Sequence, residues 1–354
     1  MLPSNRIPYR STIMKTYQSR RRFILQSGKL VAASAVAPVT GPLLLSAEKG
    51  SPNERVRFGA IGVGGRGTSI ANAARRFADV VGVCDLDTQR IERVIKGFRA
   101  QDTSKGYQEY RKLLDRKDID FVTIGTTDHW HTRVAIHAMQ AGKDVYCEKP
   151  LTLTIDEGKQ ICKVVKETGR VFQVGTQQRS EMGQKFLQAI GIIREGRIGK
   201  VKKVTCNIGG GPKGGPFKTS APPANIDWNT WLGQAPLVDY IKERCHYQFR
   251  WWYEYSGGKM TDWGAHHVDI AQWALDQSGE GQGPLSIDPV IGEHPIPLKD
   301  GMPTKDNHYN TSHNFHIRCG FPDGVEMNIV SRSPEGNGIL FEGSKGKLLV
   351  SRGK

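Results

Sequence analysis

The sequence lacks three features that would assign it quickly to a class of protein. No run of eighteen or more apolar residues lies beyond the N-terminal segment, which excludes a membrane-spanning body and predicts no stable membrane insertion. The six cysteines include no C-x-x-C pair, so their spacing defines no disulfide framework, and each is expected to be a small buried apolar residue. Acidic residues are absent from positions 1–47, although 35 occur in the chain.

Almost half of the net charge of +15 lies in the N-terminal segment. Residues 1–47 hold seven Lys/Arg, and without them 43 basic and 35 acidic residues remain. These charges are interspersed rather than clustered, which is typical of a solvated mixed surface. We therefore expect no nucleic-acid partner.

The N-terminal segment reads as an export signal. Basic residues in SRRRFILQSG are followed by the mildly apolar run LVAASAVAPVTGPLLLSA. Arg20 and Arg21 before Phe23 resemble the twin-arginine type, which predicts periplasmic export, with residues 1–50 as signal and linker. A basic amphipathic helix is the alternative.

A nucleotide-binding turn is predicted where RVRFGAIG leads into GRGTSIANAARRF. Gly62, Gly64 and Gly67 match G-x-G-x-x-G between a strand-like run and a helical segment, and Gly65 and Arg66 lie within the same turn. Backbone N–H groups and the helix dipole would then face a pyrophosphate.

An acid at the end of the next strand indicates which dinucleotide is bound. Asp85 closes the apolar run DVVGVC, where a carboxylate accepts hydrogen bonds from ribose hydroxyls and repels a 2′-phosphate. NAD is therefore favoured, with NADP as the alternative because Arg66 could soften the preference. A turn or helix-cap carboxylate is the other interpretation of Asp85.

Strands alternate with helices as far as residue 175. IDFVTIGT and DVYCEKP read as further strands, which predicts a doubly wound parallel sheet over 51–175. Ligands of such sheets lie beyond the carboxyl ends of the strands, where Thr126, His131, Glu148 and Lys149 occur.

At this point the chain resembles the Gfo/Idh/MocA family (glucose–fructose oxidoreductase, inositol dehydrogenase, MocA). The resemblance rests on AIGVGGRG, TTDHWHTRVAIHAMQAGKDVYCEKP and GGKMTDWGAHHVD. It implies an NAD(P)-dependent dehydrogenase of sugars or polyols, acting on CH–OH groups. It also implies a second, α+β domain over 176–354 with an open, mostly antiparallel sheet, and a homo-oligomer, either a dimer or a tetramer. Because relatives commonly continue further, we expect the C-terminus to be truncated.

The resemblance also implies site residues. Lys149 matches the lysine of an E-K-P motif near the nicotinamide, and Asp262 and His266 match a D-x-x-x-H motif. His131 and Thr126 match residues that line the cofactor. Thr127 departs from the family, in which proline is frequent.

Two histidines in DWGAHHVD raise the alternative of a metal site. On one helix Asp262 and His266 share a face, whereas His267 is rotated by about 100°. Adjacent helical positions cannot easily converge on one ion, so we expect no metal. His267 and Asp269 are then structural residues.

Aromatic residues precede this segment in IDWNTWLGQAP and CHYQFRWWYEYSGG. Faces of Trp228 and Trp251, with donors from His246 and Arg250, would suit a carbohydrate. The alternative is an aromatic core.

Together these motifs predict hydride transfer between NAD and a secondary alcohol. His266 would act as the base, with Asp262 orienting it, and Lys149 would stabilise negative charge on the substrate oxygen. The alternative is an NAD-dependent glycoside hydrolase that oxidises its substrate transiently, eliminates the glycosidic substituent and recovers the hydride.

Overall fold

The computed structural model describes residues 55–98 and 105–354, and the predicted export signal at 1–50 lies outside this part of the chain. Within these two ranges no helix is both long and apolar enough to cross a membrane. Both predicted sheets are present, each with six strands.

The first sheet is parallel throughout. Its strand order is β3-β2-β1-β4-β5-β6, so the order reverses between β1 and β4, which is where doubly wound sheets bind ligands. Its strands are β1 (Arg57–Ile61), β2 (Asp79–Cys84), β3 (Lys105–Tyr107), β4 (Phe121–Ile124), β5 (Asp144–Glu148) and β6 (Phe172–Gly175). The predicted Rossmann architecture is confirmed.

Helices connect these strands and cover both faces of the sheet. They are α1 (Gly65–Ala74), α2 (Thr88–Phe98), α3 (Tyr110–Leu114), α4 (Asp128–Gln140) and α5 (Ile155–Thr168). The start of α5 is held by a capping box, because Thr154 Oγ1 accepts from Glu157 N–H while the Glu157 carboxylate accepts from Thr154 N–H. Its end is set by Gly169, whose φ of 61° ends the helix in the left-handed region.

The second sheet is mixed and mostly antiparallel, as predicted. Its order is β14-β13-β7-β12-β11-β8, in which β7 and β12 are parallel and the other neighbours are antiparallel. Its strands are β7 (Val201–Asn207), β8 (Ser286–Glu293), β11 (Asn314–Gly320), β12 (Glu326–Val330), β13 (Gly338–Gly343) and β14 (Lys347–Val350), and β9 (Leu298–Lys299) pairs separately with β10 (Met302–Pro303). The predicted hairpin around PDG joins β11 to β12.

Four further helices belong to this half: α6 (Lys185–Arg194), α7 (Trp228–Leu232), α8 (Gly258–Asp262) and α9 (Gly264–Ala274). Helices α6 and α9 pack on the second sheet around a core that includes Phe186, Ile270 and Phe341. A separate aromatic core forms around Trp228, Trp231 and Trp252. Five cysteines are buried as expected, but Cys162 is exposed because it lies on the outer face of α5.

Candidate active site

The glycine turn between β1 and α1 has no room for side chains at two positions. Gly62 has a φ of +75°, and a Cβ there would lie 2.5 Å from the Thr126 nitrogen. A Cβ on Gly67 would lie 1.7 Å from the Gly62 carbonyl oxygen, so helix and strand meet backbone to backbone. Gly65, by contrast, has open space around it.

A cavity of about 540 Å³ opens beside this turn, at the carboxyl ends of the parallel strands. Nine of the ten predicted cofactor residues line it, namely Gly62, Gly64, Gly65, Arg66, Asp85, Thr126, His131, Glu148 and Lys149. Gly67 is the tenth, and it packs beneath the turn. The topology therefore brings together residues that are far apart in the sequence.

Asp85 sits at one end of the cavity, where β2 ends. Its carboxylate accepts hydrogen bonds from Val63 N–H at 2.8 Å and from Asp87 N–H at 3.0 Å. Burial raises the pKa of Asp85, and the nearby Arg90 guanidinium partly opposes that rise. The positive charge near Asp85 therefore comes from Arg90, a residue that the sequence motifs did not predict.

His246 also lies at this end of the cavity. Its Nε2 lies 3.7 Å from Asp87 Oδ2, and its backbone φ is 52°. Burial lowers the pKa of His246 to about 4, and Arg90 lowers it further. His246 therefore lies with Asp87 and Arg90 beside the Asp85 strand end and lines the cavity, and its contact with substrate stays a prediction.

Arg66 reaches the opposite end of the cavity. Its Nε donates to Glu148 Oε1 at 2.8 Å, and Gln177 donates to the same buried carboxylate. Arg66 is therefore engaged with the E-K-P segment and lies away from Asp85, so it does not supply the positive charge that would soften a preference for NAD.

The DHWH residues at the start of α4 hold neighbouring segments in place. His131 Nδ1 lies 2.7 Å from the Pro150 carbonyl oxygen, and Trp130 Nε1 donates to the Trp231 carbonyl at 3.0 Å. The first contact fixes the segment that carries Lys149, whose peptide bond to Pro150 is cis. Burial lowers the pKa of His131, which favours a neutral ring that donates to Pro150.

Lys149 pairs directly with Asp262. Its Nζ donates to Asp262 Oδ1 at 2.8 Å and to the Asp262 carbonyl at 2.9 Å. That carbonyl is free because the helix predicted across DWGAHH is interrupted at Trp263. The His266 N–H donates to the Trp263 carbonyl and not to that of Asp262. The break between α8 and α9 thus creates the acceptor that Lys149 uses.

Arg250 is a second cation at Asp262. Its Nε lies 3.5 Å from Asp262 Oδ2, while its guanidinium stacks over Tyr247 at 4.1 Å. Burial alone would raise the pKa of Asp262, but Lys149 and Arg250 outweigh it and the net shift is downward. Asp262 is therefore an anion held between two cations.

His266 differs from its predicted setting. It is 6 % exposed, it does not line the cavity, and its Nδ1 has no hydrogen-bond partner in the part of the chain that the structure describes. Among those residues it makes no hydrogen bond to Asp262, whose carboxylate oxygens contact Lys149 and Arg250 instead. Burial, reinforced by Lys149 and Arg352, lowers the pKa of His266 to about 3. The imidazole is neutral at physiological pH.

His267 and Asp269 have partners that suit structural residues. Gln178 Nε2 lies 3.1 Å from His267 Nδ1, and His267 Nε2 lies 3.1 Å from Asn337 Oδ1. Asp269 accepts two hydrogen bonds from Arg179, at 2.8 and 2.6 Å. Within residues 55–98 and 105–354 no three His, Cys, Asp or Glu side chains converge as metal ligands would.

The predicted tryptophans do not reach the cavity. Trp228 stacks on Trp231 with ring centroids 4.7 Å apart and donates to the Val238 carbonyl, and Trp251 donates to Gln248. Both rings are buried in the aromatic core. Of the four residues predicted to bind substrate, Arg250 and His246 line the cavity, whereas the structure places Trp228 and Trp251 in the aromatic core, where each indole N–H has an acceptor.

Asp128 and Ser256 are further polar residues at the cavity that the sequence motifs did not predict. Asp128 is 5 % exposed and lines the cavity, and Ser256 Oγ donates to its Oδ2. Asp128 follows Thr126 and Thr127 directly, so the signal that could have found it was an acid at a strand end within a site-lining motif.

The cavity fits a dinucleotide. The side-chain-free surface of Gly62, Gly64 and Gly65 gives a pyrophosphate close access to backbone N–H groups at the start of α1. Asp85 follows β2 and Lys149 follows β5, so the two lie on opposite sides of the switch point between β1 and β4, as adenosine and nicotinamide halves require.

Comparison with known proteins shows the class of protein. Residues 56–176 match the model described as "Oxidoreductase family, NAD-binding Rossmann fold", and residues 215–351 match "Oxidoreductase family, C-terminal alpha/beta domain". Together the two matches take in most of the described chain, and both models are of one family. The chain belongs to the Gfo/Idh/MocA family, and its first sheet is an NAD-binding Rossmann fold.

Individual proteins of known name match this chain only at about 30% identity and over part of its length. The chain is 30% identical over 207 residues to a glycosyl hydrolase family 109 protein of Shewanella pealeana, covering 52% of this chain and 44% of that protein. It is 30% identical over 150 residues to inositol 2-dehydrogenase of Salmonella paratyphi B, covering 41% and 43%. The chain thus spans less than half the length of these relatives.

A solved structure shares the fold. The aldose–aldose oxidoreductase of Caulobacter crescentus, complexed with glycerol, superposes with a TM-score of 0.62 at 18% identity, covering 85% of this chain and 78% of that one. At this identity the likeness concerns the fold alone.

Proposed function

We propose that this protein is an NAD-dependent oxidoreductase that transfers a hydride between nicotinamide and a secondary alcohol of a sugar, a polyol or a derivative. One observation carries the proposal. Lys149 lines the cavity on the far side of the sheet edge from Asp85, and its ion pair with Asp262 joins the Rossmann half to the second half of the chain.

The residues at this end can position an alcohol and stabilise charge. Lys149 Nζ is a fixed cation that would face an oxygen gaining negative charge, where preorganised charge lowers a barrier most. Asp262 holds the ammonium group in place. His266 would present a neutral imidazole that accepts a hydrogen bond from the substrate hydroxyl.

NAD, when bound, supplies the hydride acceptor. Asp85 supports NAD over NADP, because its carboxylate would repel a 2′-phosphate at the end of β2. Arg90 beside it is the cation that keeps NADP as the alternative.

An NAD-dependent glycoside hydrolase is the second candidate. It is favoured by the similarity to a glycosyl hydrolase family 109 protein, which extends over more of this chain than the similarity to inositol 2-dehydrogenase. Such an enzyme would use the same cavity and the same Lys149–Asp262 pair, but it would release an aglycone without net reduction of NAD.

One experiment separates the two candidates. The purified protein is loaded with NAD and offered myo-inositol, D-glucose, methyl β-D-glucoside and a set of 4-nitrophenyl glycosides, while nicotinamide absorbance and nitrophenolate release are followed together. Net reduction identifies the dehydrogenase, and nitrophenolate without net reduction identifies the hydrolase. Lys149→Ala should lose the activity, and Lys163→Ala, an exposed lysine on α5, should keep it. Equal activity of both variants would contradict the proposal.

We also propose a homo-oligomer that forms through the outer face of the second sheet. Strand β8 is exposed along its whole length and presents Ile287, Val290 and Ile291, which are 67%, 47% and 41% exposed. A second copy that covers these side chains would remove the apolar surface from water. Light scattering should give a dimer or tetramer, and Ile287→Lys should reduce the mass. A monomeric wild-type protein would contradict this.

Export by the twin-arginine route is a further proposal, and it concerns residues outside the described range. Arg20 and Arg21 motivate it. Fractionation of cells should find the protein in the periplasm, and the double change Arg20→Lys, Arg21→Lys should retain it in the cytoplasm. An unchanged distribution would contradict the proposal.

A further inference from the structure

Two cations that the proposed roles do not use lie against Trp263, the residue between α8 and α9. The Arg352 guanidinium carbon lies 4.2 Å from the centre of the Trp263 ring, and Lys259 Nζ lies 5.4 Å from it. Both residues are half-buried. Within residues 55–98 and 105–354 neither forms an ion pair with a carboxylate, whereas charges removed from water are usually paired.

Arg352 is held in one orientation. Its Nε donates to Gln178 Oε1 at 3.0 Å, and Gln178, which is buried, lies 3.1 Å from His267 Nδ1 through its Nε2. The two terminal nitrogens of Arg352, Nη1 and Nη2, have no hydrogen-bond partner among the residues that the structure describes, and they are open to solvent. These two groups form the planar fork that binds a carboxylate or a phosphate through parallel hydrogen bonds.

Both cations lie beside the proposed reacting group. The centre of the Trp263 ring that they contact is 6.2 Å from the centre of the His266 ring. Arg352 is close enough to His266 for its charge to lower the pKa of the imidazole. His266 is the residue proposed above to accept a hydrogen bond from the reacting hydroxyl, so an anion bound at Arg352 and Lys259 would belong to the same ligand as that hydroxyl.

The charges around Asp262 do not balance. Four cations act on its carboxylate, namely Lys149, Arg250, Lys259 and Arg352. The first two lie 2.8 and 3.5 Å from it and therefore occupy it. The further acids near these cations are Asp128, whose pKa burial raises to about 7, and the exposed Glu181. Because the cations outnumber the ionised carboxylates, this end of the site attracts an anion.

We propose that Arg352 and Lys259 bind an anionic group of the substrate, a carboxylate or a phosphate, and that the substrate is an acidic sugar derivative rather than a neutral hexose or polyol. The proposal rests on the proposed function, because it names the substrate class of that same site. Arg352 provides two N–H groups in a plane, and Lys259 provides a point charge. No bond forms or breaks at the anionic group, whose binding positions the sugar so that its hydroxyl meets His266.

The test measures binding without turnover. The purified protein is loaded with NADH, so that no alcohol can be oxidised, and is titrated in a calorimeter with D-glucose, D-glucuronate and D-glucose 6-phosphate, which differ only at carbon 6. We expect one of the two anionic sugars to bind at least about tenfold more tightly than glucose, since hydrogen bonds to a charged group contribute at least that much. A preference for glucuronate identifies a carboxylate, and a preference for glucose 6-phosphate identifies a phosphate. Added salt should weaken the binding of the anionic sugar alone.

Variants of the two cations assign the preference to them. Arg352→Gln should reduce the preference for the anionic sugar to less than about threefold while NADH affinity stays the same. Arg352→Lys keeps the charge but not the planar fork, so it should retain part of the preference, and Lys259→Gln should lose part of it. Arg194→Gln is the matched control, because the Arg194 guanidinium also faces an aromatic ring, that of Trp273, but pairs with Asp276. This control should keep the whole preference.

Three results would overturn the inference: no binding of either anionic sugar, equal affinity of wild type for all three sugars, or an unchanged preference in Arg352→Gln. A loss of NADH affinity in Arg352→Gln with the sugar preference unchanged would place Arg352 at the cofactor instead. Failure of the proposed function is a separate result. If wild type shows the Arg352-dependent preference but the NAD-loaded protein oxidises none of the sugars, the anion site stands and the proposed function fails.

Discussion

Replacing Gly67 with alanine should abolish NAD binding and destabilise the Rossmann half. The added Cβ would lie 1.7 Å from the Gly62 oxygen and 2.9 Å from the Gly62 carbonyl carbon, whereas real Cβ contacts stay above 3.0 Å. The helix and the glycine turn would have to separate by more than an ångström. Both neighbours are backbone atoms, so no side chain can rotate away.

The energetic cost follows from that geometry. Overpacking of a well-packed site costs about 1–3 kcal/mol, and contact between two backbones belongs at the upper end of that range. The gain in helix propensity from alanine, about 1 kcal/mol at most, offsets only part of this. We expect a net loss of about 2 kcal/mol in the free energy of unfolding.

Gly65→Ala is the matched control. It lies two residues away in the same helix, and a Cβ there would meet nothing within 4 Å. Alanine should be neutral or stabilise by up to about 1 kcal/mol. Urea unfolding measures the stability of both variants, and calorimetric titration measures their NAD affinity. Equal stability of the two variants would refute the packing argument.

Three further predictions follow from individual groups. Burial lowers the pKa values of His129, His266 and His267 in the folded protein to about 4, 3 and 4. Their pKa in the unfolded chain is 6.5, so the folded protein loses stability as the pH falls below 6.5. Near pH 5 these three histidines make the free energy of unfolding depend on pH with a slope of about 4 kcal/mol per pH unit. His267→Gln should reduce this slope by about a third in unfolding titrations, and an unchanged slope would contradict a neutral, buried His267. Lys149→Gln should lower kcat at least about 100-fold while NAD affinity is retained. A fall in NAD affinity without a change in kcat would contradict a role for Lys149 at the reacting oxygen. Asp85→Ser should raise the affinity for NADP relative to NAD by about tenfold, the effect of removing about 1.4 kcal/mol of repulsion, and an unchanged ratio measured by calorimetry would argue against a ribose-side role.

The cofactor half could be predicted from sequence because its determinants are local. A strand, a glycine turn and a helix follow one another, and Gly62 and Gly67 are required by contacts within that unit. Parallel strands then carry Asp85, Thr126 and Lys149 to one edge of the sheet, whatever the details of packing.

The substrate side could not be predicted to the same depth. Spacing alone placed Asp262 and His266 on one helix face, but the chain departs from a continuous helix at Trp263, and the freed carbonyl goes to Lys149. Residue type alone could not say whether Trp228 faces a ligand or a core. Asp128 could not be predicted to belong to the site, because its partner, Ser256, is 128 positions away.

The domain boundaries at 50, 175 and 176 stay predictions, although both predicted sheets lie within them. The Gly/Pro-rich sequence of segment 209–226 predicts a loop, either near the site or at the plain surface. It contains no helix or strand, and it contributes no residue to the cavity lining.

The central claim is that a sugar or polyol alcohol reacts where the Lys149–Asp262 pair meets the NAD site. Rapid mixing of NAD-loaded protein with the sugar and polyol panel, followed by absorbance of the reduced nicotinamide, tests it most directly. Our account predicts reduction within a single turnover for at least one probe, and loss of that signal in Lys149→Ala but not in Lys163→Ala. Reduction that persists unchanged in Lys149→Ala would contradict the account.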